Sequence, residues 1–280
     1  MQFLLLMLAL AALVWGAFLL IRGGLLAGCL LVLLAGSCFS HPFWNLPLGP
    51  APLTLDRLLL VVVVAQYLLL RKFQAADPKP WGAAEWLLIA FTGALAVSTF
   101  THNWQVENKQ PAAAFVFFYL MPFAFYWVAR QMRISERGLW WIWGTLTAFG
   151  VYLAITAIAE VHEKWWLVWP RYIGSGSFAE YFGRGRGPFL NPTGAGLYLT
   201  ACIAASWMWW RSLQTPGRLG ILALSLLLGA GSYYTLTRSV WMGTALAALI
   251  VVGFNLPRTW RWPIVVGASL AGVLALAVFW

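Results

Sequence analysis

Arg238 sits alone in apolar sequence, GILALSLLLGAGSYYTLTRSVWMGTALAALIVV, from Gly220 to Val252. A guanidinium between two apolar stretches of membrane length is costly without an anionic partner, which makes it a functional-site candidate. Upstream, the segment Gly183-Arg-Gly-Arg-Gly-Pro-Phe-Leu-Asn-Pro192 sets Arg184 and Arg186 directly before another apolar stretch. Planar guanidinium forks match phosphate oxygens. Glycines at 183, 185 and 187 allow backbone to approach a ligand, and Asn191 and Pro192 are residue types that start helices. The pattern describes an anion cradle at a helix N-terminus, reinforced by the helix dipole, and its chemistry is the gripping of a phosphate-bearing lipid at the bilayer edge. Two plainer readings also fit: Arg238 snorkelling from a tight turn to the membrane boundary, and a flexible basic loop touching lipid headgroups. Ser239 and Thr237 can donate to the same phosphate or satisfy nearby backbone, and Tyr233 and Tyr234 can line the cavity or simply pack.

The elements that must position these residues are membrane helices. Of 280 residues, 62% are hydrophobic and 9% charged, with mean hydropathy +0.78, far from the quarter or so of charged residues in a soluble domain. The 19 tryptophans fit aromatic belts at the water–lipid boundary. A formal charge of +10 invites a nucleic-acid partner, but the basic residues are scattered over short loops, a pattern of membrane topology and contact with anionic lipid instead. Cys29, Cys38 and Cys202 have no metal-ligand or disulfide spacing and read as small packing residues, so no metal is indicated. No Walker loop, dinucleotide fingerprint or HExxH is present, and no cofactor is implied.

A spanning helix needs about 20 mostly apolar residues. About ten stretches qualify: 2–21, 24–40, 54–70, 85–101, 112–129, 139–159, 193–210, 218–237, 239–256 and 263–280. This predicts an all-α fold, a polytopic transmembrane bundle forming one domain over 1–280, with a long loop at about 160–192. The first stretch lacks a positive n-region and reads as an uncleaved helix rather than a signal peptide. One set of alternate loops holds eleven basic residues, including Arg71, Lys72, Lys79, Arg130, Arg133, Arg137, Arg211, Arg218, Arg258 and Arg261; the other set holds seven. The richer set belongs in the cytoplasm, so the long loop and the Arg238 turn face the extracytoplasmic side. Trp165, Trp166 and Trp169 are expected at the interface on a short surface helix.

Arg184-x-x-Gly187-Pro-Phe-x-Asn191-Pro192 before one helix, then Leu236-Thr-Arg238-Ser between two later ones, resembles the O-antigen ligase and O-antigen polymerase superfamily. The resemblance covers the whole chain in architecture and residues 183–240 in motif. It implies a metal-independent membrane glycosyltransferase of the bacterial inner membrane, active on its extracytoplasmic side. Such an enzyme moves a glycan from an undecaprenyl diphosphate carrier to an acceptor hydroxyl, either lipid A–core of lipopolysaccharide or another carrier-linked saccharide. Arg184 and Arg238 match the family arginines that hold the diphosphate, with Arg186, Ser239 and Asn191 beside them. Family members continue into a further outward loop that supplies a histidine to activate the acceptor. This chain stops at Trp280, as if it lacked that C-terminal part. Within these residues a base must come from His162, Glu160, Glu163 or Glu180; His162 changes charge near neutral pH, although a solvated loop histidine is the plainer reading. A flippase for a lipid-linked glycan would need charges along a path across the membrane, and a non-catalytic donor-lipid binder would need only the arginines.

Overall fold

In a membrane every backbone N–H and C=O must find its partner within the segment, so long apolar runs fold as helices. The computed structural model describes residues 22–39, 43, 45–48, 51–74, 78–101, 111–176, 180–255, 259, 261–263, 266–267 and 270. The helices are α1 (Arg22–Cys38), α2 (Leu55–Lys72), α3 (Ala83–Thr101), α4 (Pro111–Phe115), α5 (Met121–Gln131), α6 (Glu136–Val161), α7 (Pro192–Trp207), α8 (Thr215–Tyr234) and α9 (Arg238–Asn255). The all-α expectation holds for the described residues, and eight of the apolar stretches coincide with helix. The stretch at 2–21 lies outside the described residues, as does most of 263–280. By length and composition four helices can cross a membrane: α3, the run Pro111–Gln131, α6 and α9. The chain is on that ground a membrane protein.

Two local features depart from the apolar pattern. Two short strands, β1 (Asn45–Leu48) and β2 (Ala51–Thr54), pair antiparallel, with Asn45 opposite Thr54. Pro47 and Pro52, one in each strand, disfavour helix there. Between α4 and α5 the helix widens into a π turn over Val116–Leu120, where the Met121 N–H donates to the Val116 carbonyl five residues back. Pro122 follows directly; its missing N–H and bulky ring disturb the ordinary ladder at that point.

The chain divides into two compact units, 1–138 and 139–280. In the first, Cys29 of α1, Val63 and Tyr67 of α2 and Val128 of α5 form a buried cluster. Trp127 meets Tyr67 edge-on, with ring centroids 4.8 Å apart. Glu85 in the first turn of α3 is buried and accepts from Gly82 N–H (2.6 Å), Tyr126 Oη (2.8 Å) and Arg130 Nε (2.7 Å). It thereby ties the start of α3 to the end of α5. The outer face of α3 leaves Trp86, Leu87, Phe91, Val97 and Phe100 exposed, which suits contact with lipid tails.

The second unit packs on small residues, the usual means by which membrane helices approach closely. A side chain at Gly231 of α8 would lie 2.7 Å from the Ala154 Cα of α6, and one at Gly150 would strike Cys202 of α7. Gly196 of α7 leaves room only for Val240 of α9. Polar contacts supplement these approaches. Thr200 and Thr244 share a 2.8 Å hydrogen bond between α7 and α9, and Trp207 Nε1 donates to Ser225 Oγ of α8 at 2.8 Å.

Candidate functional site

The loop from His162 to Asn191 is held to the helix ends by side chains whose partners are mostly backbone. Tyr152 Oη donates to the Trp169 carbonyl (2.6 Å), Tyr172 Oη to that of Pro188 (2.8 Å), and Arg171 Nη1 to that of Trp165 (2.7 Å). Ala159, Val168 and Ile173 form its small core. Trp165–Leu167 is a turn rather than the expected surface helix; Trp166 and Trp169 are exposed, while Trp165 tucks against Gly174 and Phe182. Phe189 enters an aromatic cluster with Phe149 and Tyr198, stacking on Tyr198 at 4.6 Å.

Arg186 departs from the outward-facing role expected of it. It is fully enclosed and donates through Nε to Glu160 Oε1 (2.7 Å), through Nη1 to the Glu180 carbonyl (2.8 Å) and through Nη2 to the Ile173 carbonyl (2.8 Å). Phe182 covers its guanidinium at 4.2 Å. Glu160, at the end of α6, also accepts from the backbone N–H groups of Arg186 and Gly187. A buried charge demands a counter-charge, and here that demand organises the whole loop. The guanidinium is therefore enclosed within the loop, with Nε, Nη1 and Nη2 all donating to protein oxygens. Glu160 likewise serves the pair and is withdrawn from proton transfer. Its role had a signal in the sequence, since it is one of three acids between 139 and 280 and closes an apolar helix.

Arg184 and Arg238 behave differently. Both are exposed, and neither makes an ion pair or side-chain hydrogen bond among the described residues; Arg184 lies 5.9 Å over the Tyr181 ring. The adjacent Glu180 carboxylate, by hydrogen bonding first and by its charge second, holds the Tyr181 phenol above its ordinary titration range. What links the two arginines is the backbone between them. Gly185 N–H donates to the Tyr234 carbonyl at 2.8 Å, fastening the Arg184 loop to the end of α8, four residues before Arg238. By chain dimensions the two Cα atoms are then at most about 22 Å apart. Gly185 allows this because any side chain there would meet Ala157 Cβ at 2.7 Å and the Tyr234 carbonyl at 3.1 Å. That glycine serves backbone-to-backbone approach, not the approach to a ligand that its type suggested.

The α8–α9 turn is itself closely held. Trp241 Nε1 donates to the Tyr233 carbonyl (3.0 Å) and the two rings stack at 5.2 Å. Leu236 takes a left-handed φ of 49°, which costs an L-residue about 1–2 kcal/mol. Glu163, Tyr181 and Leu190 in the loop share that backbone region. Such strain persists where the surroundings over-determine the backbone. Thr237 Oγ1 donates to the Thr235 carbonyl, and Ser239 is exposed in the first turn of α9. Asn191 caps α7 as its type predicted, Oδ1 accepting from Thr193 N–H (2.9 Å) and Gly194 N–H (3.4 Å). That oxygen is committed, leaving only the amide nitrogen for a ligand.

His162 is exposed at the start of the loop and shares a 3.1 Å hydrogen bond, Nε2 with Tyr234 Oη; the imidazole tautomer sets its direction. Sequence reasoning offered Tyr234 as cavity lining or as packing; in the structure its hydroxyl meets His162 and its carbonyl accepts from Gly185 of the Arg184 loop, four residues before Arg238. Beside it runs a shallow groove of about 300 Å³, apolar along Ile155, Ile158, Ala159 and Leu167, with His162 and Lys164 also lining it. Comparison with family models, curated proteins and solved structures yields no match.

Proposed function

We propose that this protein transfers a glycan from an undecaprenyl diphosphate carrier to an acceptor hydroxyl at the extracytoplasmic surface of the bacterial inner membrane. Arg184 and Arg238 bind the diphosphate in this reading. The observation that carries it is the Gly185–Tyr234 backbone bond, which brings the segment bearing one exposed guanidinium to the turn bearing the other. Ser239 adds a hydroxyl in the first turn of α9, and the groove lined by Ile155, Ile158 and Leu167 offers the lipid tail an apolar seat. The acceptor oxygen attacks the anomeric carbon, the bond from that carbon to the diphosphate oxygen breaks, and the acceptor proton passes to His162. Charge builds on the departing diphosphate, where fixed guanidinium groups stabilise it in a low-dielectric setting. Ten spans, with the first and most of the last outside the described residues, complete the proposed topology. The acceptor is a saccharide or a lipid-linked glycan.

The test measures binding of undecaprenyl diphosphate to the purified chain and to Arg184→Ala and Arg238→Ala. Each substitution is expected to weaken binding at least about tenfold, the worth of a charge-assisted hydrogen bond, and Arg238→Lys should fall between, since an ammonium cannot reproduce the fork. Equal affinity in all four proteins would remove the donor site. Transfer by His162→Ala at the wild-type rate would remove the assigned base while leaving that site standing.

A further inference from the structure

The C-terminal end of α6 joins an apolar groove to an ammonium group that has no part in the transfer step described above. Ile155, Ile158, Ala159 and His162 recur at helical spacing and so form one stripe along α6 and the residue just past its end. Leu167 lines the groove from the turn that follows, and Ile155 is exposed along its open side. Lys164 reaches the same groove because of how α6 stops. Glu163 N–H donates to the Glu160 carbonyl at 3.2 Å, and Lys164 N–H donates to the Ala159 carbonyl at 2.8 Å. That pair of bonds closes many helices and requires a left-handed residue, usually glycine, at the first position past the cap. Glu163 fills it with a φ of 56°. Such a closure folds the next residue back over the one five before it, which is why Lys164 and Ala159 line one groove.

In this type of helix end the two facing side chains are ordinarily apolar. A lysine meets that demand with its methylene stem and keeps its ammonium at the polar boundary. Lys164 is the sole lysine between 139 and 280. An apolar trough with one cation at its rim complements an amphiphile, with hydrocarbon along Ile155, Ile158 and Leu167 and a phosphate at the ammonium. Unlike a guanidinium fork, an ammonium is a compact point charge that meets phosphate in many orientations. The same end of the groove leads to the donor arginines. His162 Nε2 meets Tyr234 Oη at 3.1 Å, and the Tyr234 carbonyl accepts from Gly185, the neighbour of Arg184. Along that path the phosphate esterified to the prenyl chain comes first and the sugar-bearing phosphate second.

We propose, resting on the donor reading above, that Lys164 binds the lipid-side phosphate of the prenyl carrier, whose first isoprene units lie in the groove. Arg184 and Arg238 then serve the sugar-side phosphate. Undecaprenyl monophosphate carries only the lipid-side group, so it separates the two roles. The full chain in detergent is titrated with undecaprenyl monophosphate and with undecaprenyl diphosphate, and native mass spectrometry reads the bound fraction. Lys164→Met, which keeps the stem, is expected to weaken both ligands about tenfold, the worth of a charge-assisted bond, and Lys164→Arg should retain most of the affinity. Ile155→Trp fills the groove without changing charge and should weaken both prenyl ligands while sparing inorganic pyrophosphate. Arg184→Ala and Arg238→Ala should weaken the diphosphate and leave the monophosphate at wild-type affinity. Unchanged binding of both ligands by Lys164→Met, with the arginine variants still impaired toward the diphosphate, overturns the Lys164 assignment and leaves the donor reading standing. Impairment by Lys164→Met with no effect of either arginine substitution keeps Lys164 and removes the arginine site. An effect of Lys164→Met without one of Ile155→Trp, or equal displacement of undecaprenyl monophosphate by phosphatidylglycerol, overturns the prenyl chain as occupant.

Discussion

Each unit closes a helix end with a carboxylate and an arginine: Glu85 with Arg130 in the first, Glu160 with Arg186 in the second. Both pairs meet at 2.7 Å. Their surroundings differ. The Arg130 side chain is 25% exposed, while both members of the Glu160 pair are at 0%. Arg130 keeps water on one side and adds a bond to the Pro80 carbonyl (2.9 Å), so it joins two helices near a surface. Arg186 is surrounded by the loop it organises, with three carbonyl or carboxylate partners and an aromatic lid. The same chemistry thus fastens helices in one place and folds a loop in the other. Only in the second does it decide which neighbouring arginine is left exposed.

The largest expected effect follows from that enclosure. Arg186→Ala strands a buried carboxylate and should destabilise the protein by about 3–5 kcal/mol, read as a fall in thermal midpoint in nanodiscs together with faster proteolysis between 162 and 190. Arg130→Ala should lower the midpoint distinctly less, because water can replace the lost partner; equal losses would erase the contrast between the two pairs. Gly185→Ala probes loop docking without touching the ion pair. A methyl group against Ala157 and the Tyr234 carbonyl should cost about 1–3 kcal/mol and weaken undecaprenyl diphosphate binding by separating Arg184 from the α8–α9 turn. Tight binding by a correctly folded Gly185→Ala protein would show that the bond is dispensable.

Smaller still is the cap. Asn191→Ala should lose about 1 kcal/mol, and Asn191→Asp should recover it, as measured by the same melts. Least of all, Arg184→Ala and Arg238→Ala should sit within about 0.5 kcal/mol of wild type, as exposed substitutions away from packing do. A midpoint shift as large as that of Arg186→Ala at either position would mean that it too is a structural pin.

Much of the fold was legible because membrane helices announce themselves by apolar length. Eight stretches named from hydropathy coincide with helix, and Asn191-Pro192 begins α7 as cap chemistry requires. The pairing of β1 with β2 was not legible, since it depends on register rather than on an apolar run. Trp165–Leu167 forms a turn because its backbone bonds go to Arg171 and to neighbouring turns, which interfacial composition does not reveal. In the candidate site, residue type drew attention to 184, 186 and 238, but type alone could not say which of the first two is enclosed and which exposed. Their flanking glycines are the same in sequence and differ only in what surrounds them.

Amino-acid order by itself determined that the chain is helical and membrane-bound, that its arginines lie at helix ends or in the loops between helices, and that few acids exist to neutralise them. Hydropathy and charge are properties of each residue, so they survive without coordinates. Tertiary structure decided the pairing. Glu160 reached Arg186 across 26 residues, Gly185 reached Tyr234 across 49, and Arg211 and Arg261 met at one carbonyl. These contacts depend on how closely helices with glycine at their crossings can approach, a distance that no linear pattern contains.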